Sequence, residues 1–330
     1  MDSRLEQMPQ DGRCAEPPRV TVIIPAFNAE HTLARAVQSV LAQSERSLEV
    51  LIVDDCSHDG TADVAMALAA SDPRVMVLRL RQNGGKPVAM NRATDLATGA
   101  WIALVDADDW FAPTRLERLI DLAEAANVDM VADNQVFVDG VTCRGHGFAF
   151  PPSDRSRSLD LDGYLAGSNP LASFDLGMLK PVFRSDFIRR HRVEYHAAAR
   201  NGQDLYVLLC FFMAGGRALV LDEPLYHYAR PSRTAWRHVT PAAGRRYRFD
   251  LMREANDHYL ATFGARMTNV QRAKLVERGR RLETMRRLHY VKTALRAEQV
   301  GGLARRAVQA TSPLWATLAR LTAARLSGGH

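Results

Sequence analysis

Four apolar runs, beginning at residues 20, 48, 75 and 101 and separated by helix-patterned segments, constrain the fold of this chain more than any other feature. Val20–Pro25 and Leu48–Val53 are rich in β-branched residues and have no polar alternation, as expected of strands buried on both faces. Between them Leu33, Ala36, Val37, Val40 and Leu41 recur at three- and four-residue steps, the period of a helix. Asp59-Gly60-Thr61 opens a second helix through Val64, Met66 and Leu68. A third strand, Val75–Leu78, leads through Gln82–Lys86 to a helix over Pro87–Ala97, and a fourth, Trp101–Val105, stops at Asp106-Ala-Asp-Asp109. Pro113 is placed to start the next helix. This alternation predicts an α/β domain built on a mostly parallel, Rossmann-like sheet with helices covering it.

The pattern changes further along. Gly140–Ser158 is rich in Gly, Pro, Ser and Arg and is expected to be a mobile loop. Asn201-Gly-Gln-Asp204 precedes an apolar helix, Leu205–Met213, closed by Gly215-Gly216, and Ala218–Leu221 is predicted to be a strand. From about Ala235 the chain is Arg-rich and helical, with Leu282, Met285, Leu288, Val291 and Leu295 on one stripe. Ser312-Pro313 is a plausible cap for a last amphipathic segment carrying Leu314, Trp315, Leu318 and Leu321. The division expected is a disordered lead-in over 1–18, an α/β domain over 19–234 and a basic helical extension over 235–330.

Charge divides the same way. The 330 residues carry 43 Lys and Arg against 37 Asp and Glu, a net +6. Residues 241–330 hold 18 of those bases and 6 of the acids, which leaves 25 and 31, a net −6, in the first 240. A basic tail on an acidic body argues against nucleic acid as partner, because aromatic stacking platforms are not interleaved with the arginines. No run of 18 apolar residues exists, and the first 19 residues hold no apolar core of a secretory signal. The four cysteines are far apart, with neither CxxC pairs nor zinc spacing, so a reducing cytoplasm is the expected setting.

In a parallel sheet, ligands bind beyond the carboxyl ends of the strands. Here those ends carry Asp54 and Asp55, Asn83, and Asp106 and Asp108, with no basic neighbour in the sequence to answer the acids. Asp59 is equally well explained as a helix cap. Concentrated carboxylates are costly unless a cation meets them, and Asp-Ala-Asp suits a hard divalent ion bridging to phosphate oxygens.

Taken together, Val22–Glu30, Leu51–Thr61, Asn83-Gly-Gly, Ala89–Ala93, Gly99–Asp109 and Gly202–Leu205 resemble, in order and spacing, the inverting family 2 glycosyltransferases of GT-A fold. Leu179-Lys-Pro181 and Glu223-Pro-Leu-Tyr226 fit the bacterial exopolysaccharide, succinoglycan-type branch. The resemblance covers about residues 19–234. It implies that Pro25, Ala26, Phe27 and Asp55 receive the uracil base, with Asn83 as a second base contact. It implies that Asp106 lies near the ribose and the metal, that Asp108 binds Mg²⁺ or Mn²⁺, and that Asp204 is the catalytic base. The implied reaction moves a hexose, glucose from UDP-glucose, to a glycan or lipid-linked oligosaccharide.

Three departures from the family pattern stand out. Gln203 replaces an acid before Asp204, Met90 replaces an arginine, and the histidine that often follows the late Tyr-Arg pair is missing after Tyr228-Ala-Arg-Pro231. Arg92 or Lys86 are candidates to compensate for Met90, and His227 or His238 for the histidine. Lys180 is either a phosphate or acceptor contact or a solvated lysine. Trp101 is expected in the core, with Trp110 in the core or against a sugar, and Cys56 has no nucleophilic role. Gln203 and Met90 also keep open a second reading, a non-catalytic nucleotide-sugar-binding scaffold subunit. The tail is expected to pack on the domain or on another subunit, as in a homo-oligomer. The alternative is that it lies on the anionic inner face of the membrane.

Overall fold

The computed structural model describes residues 5–6, 16–170, 172, 174–199, 202–229 and 248–296. A single mixed sheet runs through the domain. Its parallel half consists of β2 (Val20–Ala26), β3 (Leu48–Asp54), β4 (Val75–Leu80) and β5 (Trp101–Leu104), ordered β4-β3-β2-β5. The connecting helices are α1 (Leu33–Leu41), α2 (Thr61–Ser71) and α3 (Lys86–Leu96). The β2 register to β5 ends at Ile23, so Pro25, which has no N–H to donate, lies past the last pair with that neighbour. Every β2 residue except Pro25 is buried, which is why the run shows no polar alternation.

Beyond β5 the sheet becomes mixed. β10 (Val182–Arg184) runs antiparallel to both β5 and β7 (Met130–Val138), and β11 (Ala218–Ala229) runs parallel to β7. The short β6 (Trp110–Phe111) closes the order against β11. α4 (Arg115–Ala125) opens at Thr114 rather than at Pro113, whose carbonyl instead accepts from the Ser44 N–H at 2.8 Å. Arg115, fully buried, donates to Asp133 Oδ1 at 2.7 Å and to the Lys180 carbonyl at 2.6 Å, joining α4, β7 and the approach to β10.

The expected loop at 140–158 contains two strands. β8 (Gly145–Phe148) pairs with β7, and β9 (Ser156–Leu159) pairs with β11. Both lie on strand flanks and are mostly exposed, so they need no apolar run, and the hydrophobic pattern could not reveal them. The lead-in contributes a two-residue strand, β1 (Leu5–Glu6), antiparallel to β4. α5 (Leu161–Gly167) and α6 (Ser185–His191) complete the middle of the chain.

α7 (Gln203–Met213) buries Leu205, Val207, Leu208, Leu209, Phe211 and Phe212. Of the basic extension, α8 (Phe249–Phe263) and α9 (Asn269–Arg296) are described. Both pack on the domain. Tyr259 donates to the Gly202 carbonyl at 3.2 Å, and Arg278, 5% exposed, pairs with Asp175 at 3.1 Å. Leu282 and Leu288 of the apolar stripe are buried, while the segment after Ser312 lies outside the described residues. No described helix is long and apolar enough to cross a membrane.

Candidate active site

The carboxyl ends of β2 to β5 form one rim, and the acids read from the sequence lie along it. At the β2 end Pro25 is half-buried, Ala26 is buried, and Phe27 is 46% exposed with its ring edge-on to His58 at 6.1 Å. An exposed aromatic ring at a strand end is the kind of surface on which a planar base stacks. Asn28 and Cys56, next to Phe27 and Asp55, adopt left-handed φ angles of 50° and 60°. That conformation is uncommon for residues with a Cβ and fixes how the chain leaves the two strands.

Asp55 is buried, and its carboxylate accepts from the Gly84 and Gly85 N–H groups, both at 2.7 Å. Each oxygen therefore already has one donor, and a ring N–H would be an additional one. Asn83 Nδ2 donates to the Asp55 carbonyl at 3.1 Å, so the loop before α3 is locked onto the β3 end. Asp54 is committed to structure, accepting from the Ser57 N–H and pairing with Arg79 at 3.2 Å. Asp59 accepts from the N–H and hydroxyl of Thr61, although the N-cap position of α2 is Gly60; burial raises its pKa, but hydrogen bonds, those from Thr61 foremost, outweigh that and lower it.

At the end of β5 the chain turns through 106–109, closed by the Asp109 N–H to the Asp106 carbonyl at 2.9 Å. Asp109 is wholly buried. It accepts from Tyr226 Oη at 2.7 Å and from the Ala229 N–H at 2.8 Å. Burial, then the charges of Asp108 and Asp106, raise its carboxyl well above the usual range. The same Tyr226 oxygen accepts from the Asp106 N–H at 3.2 Å, so β11 props the acidic turn from beneath. The sequence alone assigned Asp109 and Tyr226 no role, because Asp109 reads as one more acid of the Asp106–Asp109 run and Tyr226 is distant from it in the chain.

The acids do have basic neighbours, contrary to the sequence expectation, because the lysines come from distant parts of the chain. Lys86 Nζ lies 2.8 Å from Asp106 Oδ1 and 3.5 Å from Asp204 Oδ1. Lys180 Nζ lies 2.8 Å from Asp106 Oδ2 and 3.4 Å from Asp204 Oδ2. Two ammonium groups thus bridge two carboxylates. Lys180 is 4% exposed, so it is not a solvated lysine. Burial pulls its pKa down, but the charges of Asp106 and Asp204 outweigh that and hold it well above the ordinary value. Asp204 sits in the first turn of α7 behind Gly202, whose φ of 75° suits glycine. Its buried Oδ1 has no hydrogen-bond partner among the described residues.

The remaining candidates divide. Met90 is buried and lines a small apolar void with Ile102, Leu104 and Tyr195, so its side chain points into the core. Asn91 clamps the Tyr195 backbone with two 2.8 Å bonds. Trp101 is core, with its indole N–H donating to Glu124 at 3.1 Å. Trp110 stacks on His227 at 5.3 Å and carries the Arg35 guanidinium at 4.1 Å, so its ring faces protein groups. Arg35 also donates to the Asp108 carbonyl at 2.9 Å. His238 and Pro231 lie outside the described residues.

Among the described residues no group of three or more His, Cys, Asp or Glu side chains could hold a metal. Asp106 and Asp108 on one turn match the one or two carboxylates that Mg²⁺ commonly takes when phosphate oxygens complete its shell. Both oxygens of Asp106 are engaged by lysines.

Residues 21–159 match the model of Glycosyl transferase family 2. The chain is 36% identical over 215 residues to the succinoglycan biosynthesis protein ExoO of Rhizobium meliloti, covering 64% of this chain and 60% of that protein. It is also 36% identical over 208 residues to ExoU of the same organism, covering 61% and 59%. The match thus spans about 60% of the length of these curated relatives. Among solved structures, the mannosyltransferase PcManGT of Pyrobaculum calidifontis in complex with GDP-Man and Mn²⁺ aligns over 97% of this chain and 84% of that one. Its TM-score is 0.56 at 21% identity. S. aureus TarS residues 1–349 with UDP align over 73% and 65%, with a TM-score of 0.54 at 19% identity. These likenesses identify the GT-A fold.

Proposed function

We propose that the chain is a family 2 glycosyltransferase of the exopolysaccharide branch and that it transfers a hexose from a UDP-sugar to a glycan or lipid-linked oligosaccharide by a single inverting displacement. UDP-glucose is the donor we favour, by analogy with that branch. The observation that carries the proposal is the pairing of Asp204 with Asp106 through two shared ammonium groups, with Asp204 Oδ1 left without a hydrogen-bond donor.

The uracil rests against Pro25 and Phe27 near Asp55 and Asn83, and the diphosphate lies toward Asp106 and Asp108. Asp204 accepts the proton of the acceptor hydroxyl as that oxygen attacks the anomeric carbon from the face opposite the leaving diphosphate. Lys180 keeps its positive charge 3.4 Å from Asp204 Oδ2 and so holds that carboxylate in place. Mg²⁺ or Mn²⁺ at Asp108, when bound, supplies positive charge to the diphosphate as its bond to the sugar breaks.

The test is a panel of UDP- and GDP-hexoses incubated with the protein, acceptor and Mg²⁺ or Mn²⁺, following nucleotide release and the anomeric configuration of the product. The proposal expects turnover of a UDP-hexose with inversion. Retained configuration sinks the single displacement, and binding of UDP without turnover of any donor favours the scaffold reading.

A further inference from the structure

We infer that Lys86 is the side chain that recognises the donor's diphosphate, a contact that rests on the proposed glycosyl transfer but is read from this chain's own geometry. Three consecutive residues span the site. The N–H groups of Gly84 and Gly85 hold the Asp55 carboxylate, and the next residue, Lys86, reaches the Asp106 carboxylate at 2.8 Å. A nucleotide with its base at Asp55 and its phosphates at the acidic turn must therefore pass its diphosphate across Lys86.

Lys86 is also the first residue of α3, an eleven-residue helix behind Gly85, whose φ of 80° suits glycine. The positive end of that helix and the ammonium group act on the same volume. The position where the family pattern has an arginine is Met90, which is buried against Ile102 and Leu104 and presents no charge.

The two lysines are not equivalent. Lys180 is 4% exposed, and its carbonyl is pinned by the buried Arg115–Asp133 pair. Lys86 has a 19% exposed side chain on a flexible stem. On donor binding Lys86 transfers its hydrogen bonds from Asp106 to phosphate oxygen, while Lys180 stays with Asp106 and Asp204. Without donor, the same ammonium answers the charge of Asp106.

Titration calorimetry of the full chain with UDP and with uridine, in EDTA and again with Mg²⁺, separates this contact from the rest of the site. In EDTA the wild type should prefer UDP over uridine. Lys86→Met should weaken UDP about tenfold or more, the size of a lost charge-assisted hydrogen bond, and leave uridine unchanged. Lys86→Arg should keep most of the UDP affinity. UDP binding by Lys86→Met equal to wild type, or equal losses for UDP and uridine, overturns the inference while the transfer reading stands. A wild type that binds neither compound, with or without Mg²⁺, overturns both.

Discussion

At the scale of single residues, the acidic turn is held by buried groups behind it. Tyr226 Oη is shared between the Asp109 carboxylate and the Asp106 N–H, so Tyr226→Phe leaves a buried carboxyl and a backbone donor short of one partner each. A loss of about 1–3 kcal/mol is expected, the cost of an unsatisfied buried polar group, measurable by denaturant unfolding. Asp109 makes a pH prediction with a definite sign. Its folded pKa lies above 3.8, so the folded state holds a proton that the unfolded state releases first. Its contribution is fully present below 3.8 and is lost as pH rises through the raised folded value. Asp109→Asn should flatten the stability–pH profile in that window; an unchanged slope contradicts the burial argument.

At the scale of elements, the buried Arg115–Asp133 pair decides how α4, β7 and the start of β10 meet. Both partners are inaccessible, and the same guanidinium holds the Lys180 carbonyl. Arg115→Met strands Asp133 without its cation and is expected to cost about 3–5 kcal/mol in unfolding experiments. Within α9, ion pairs at the surface add a smaller contribution. Arg286 and Arg287 donate to Glu283 and hold its carboxyl down at about 2. Stability from this depressed pKa is present above the ordinary 4.5 and is lost as pH falls through about 2. Glu283→Gln should therefore lower the melting temperature slightly at pH 7, by under about 1 kcal/mol in stability, and match wild type near pH 2.

Elements also show what the sequence could and could not reveal. β2 to β5 were legible because burial on both faces leaves an unbroken apolar run, and the acids at their ends were legible because they break that run at the carboxyl ends of the strands. β8 and β9 were not, since an exposed flanking strand is specified by its partner's hydrogen bonds more than by its own side chains. Asp55, Asp106, Asp108 and Asp204 were singled out by their position, the first three after the strands and Asp204 at the start of α7. Lys86 and Lys180 were candidates from the sequence, but their pairing with Asp106 and Asp204 was not legible, because local reading sees only neighbours in the chain, while the charges they answer are neighbours in space. Met90 is the converse case: a departure from the family pattern that the core explains.

At the scale of the whole molecule, the net +6 describes neither part of the chain. The acidic body turns several of its carboxylates toward one rim, where two lysines pair with Asp106 and Asp204. Part of the basic extension is neutralised against that body, Arg278 on Asp175 and Lys274 on Asp162. The described helices of the tail thus fit its packing role, and Tyr259 brings α8 against the turn that opens the Asp204 helix.

The central claim is that Asp204 takes the acceptor's proton in a site that binds donor independently of it. Comparing Asp204→Asn with wild type, for both UDP affinity and the rate of acceptor-dependent nucleotide release, tests it most directly. The account predicts UDP affinity close to wild type and a rate lower by about 10²- to 10⁴-fold, the range of a lost general base. A variant that turns over donor at the wild-type rate contradicts it.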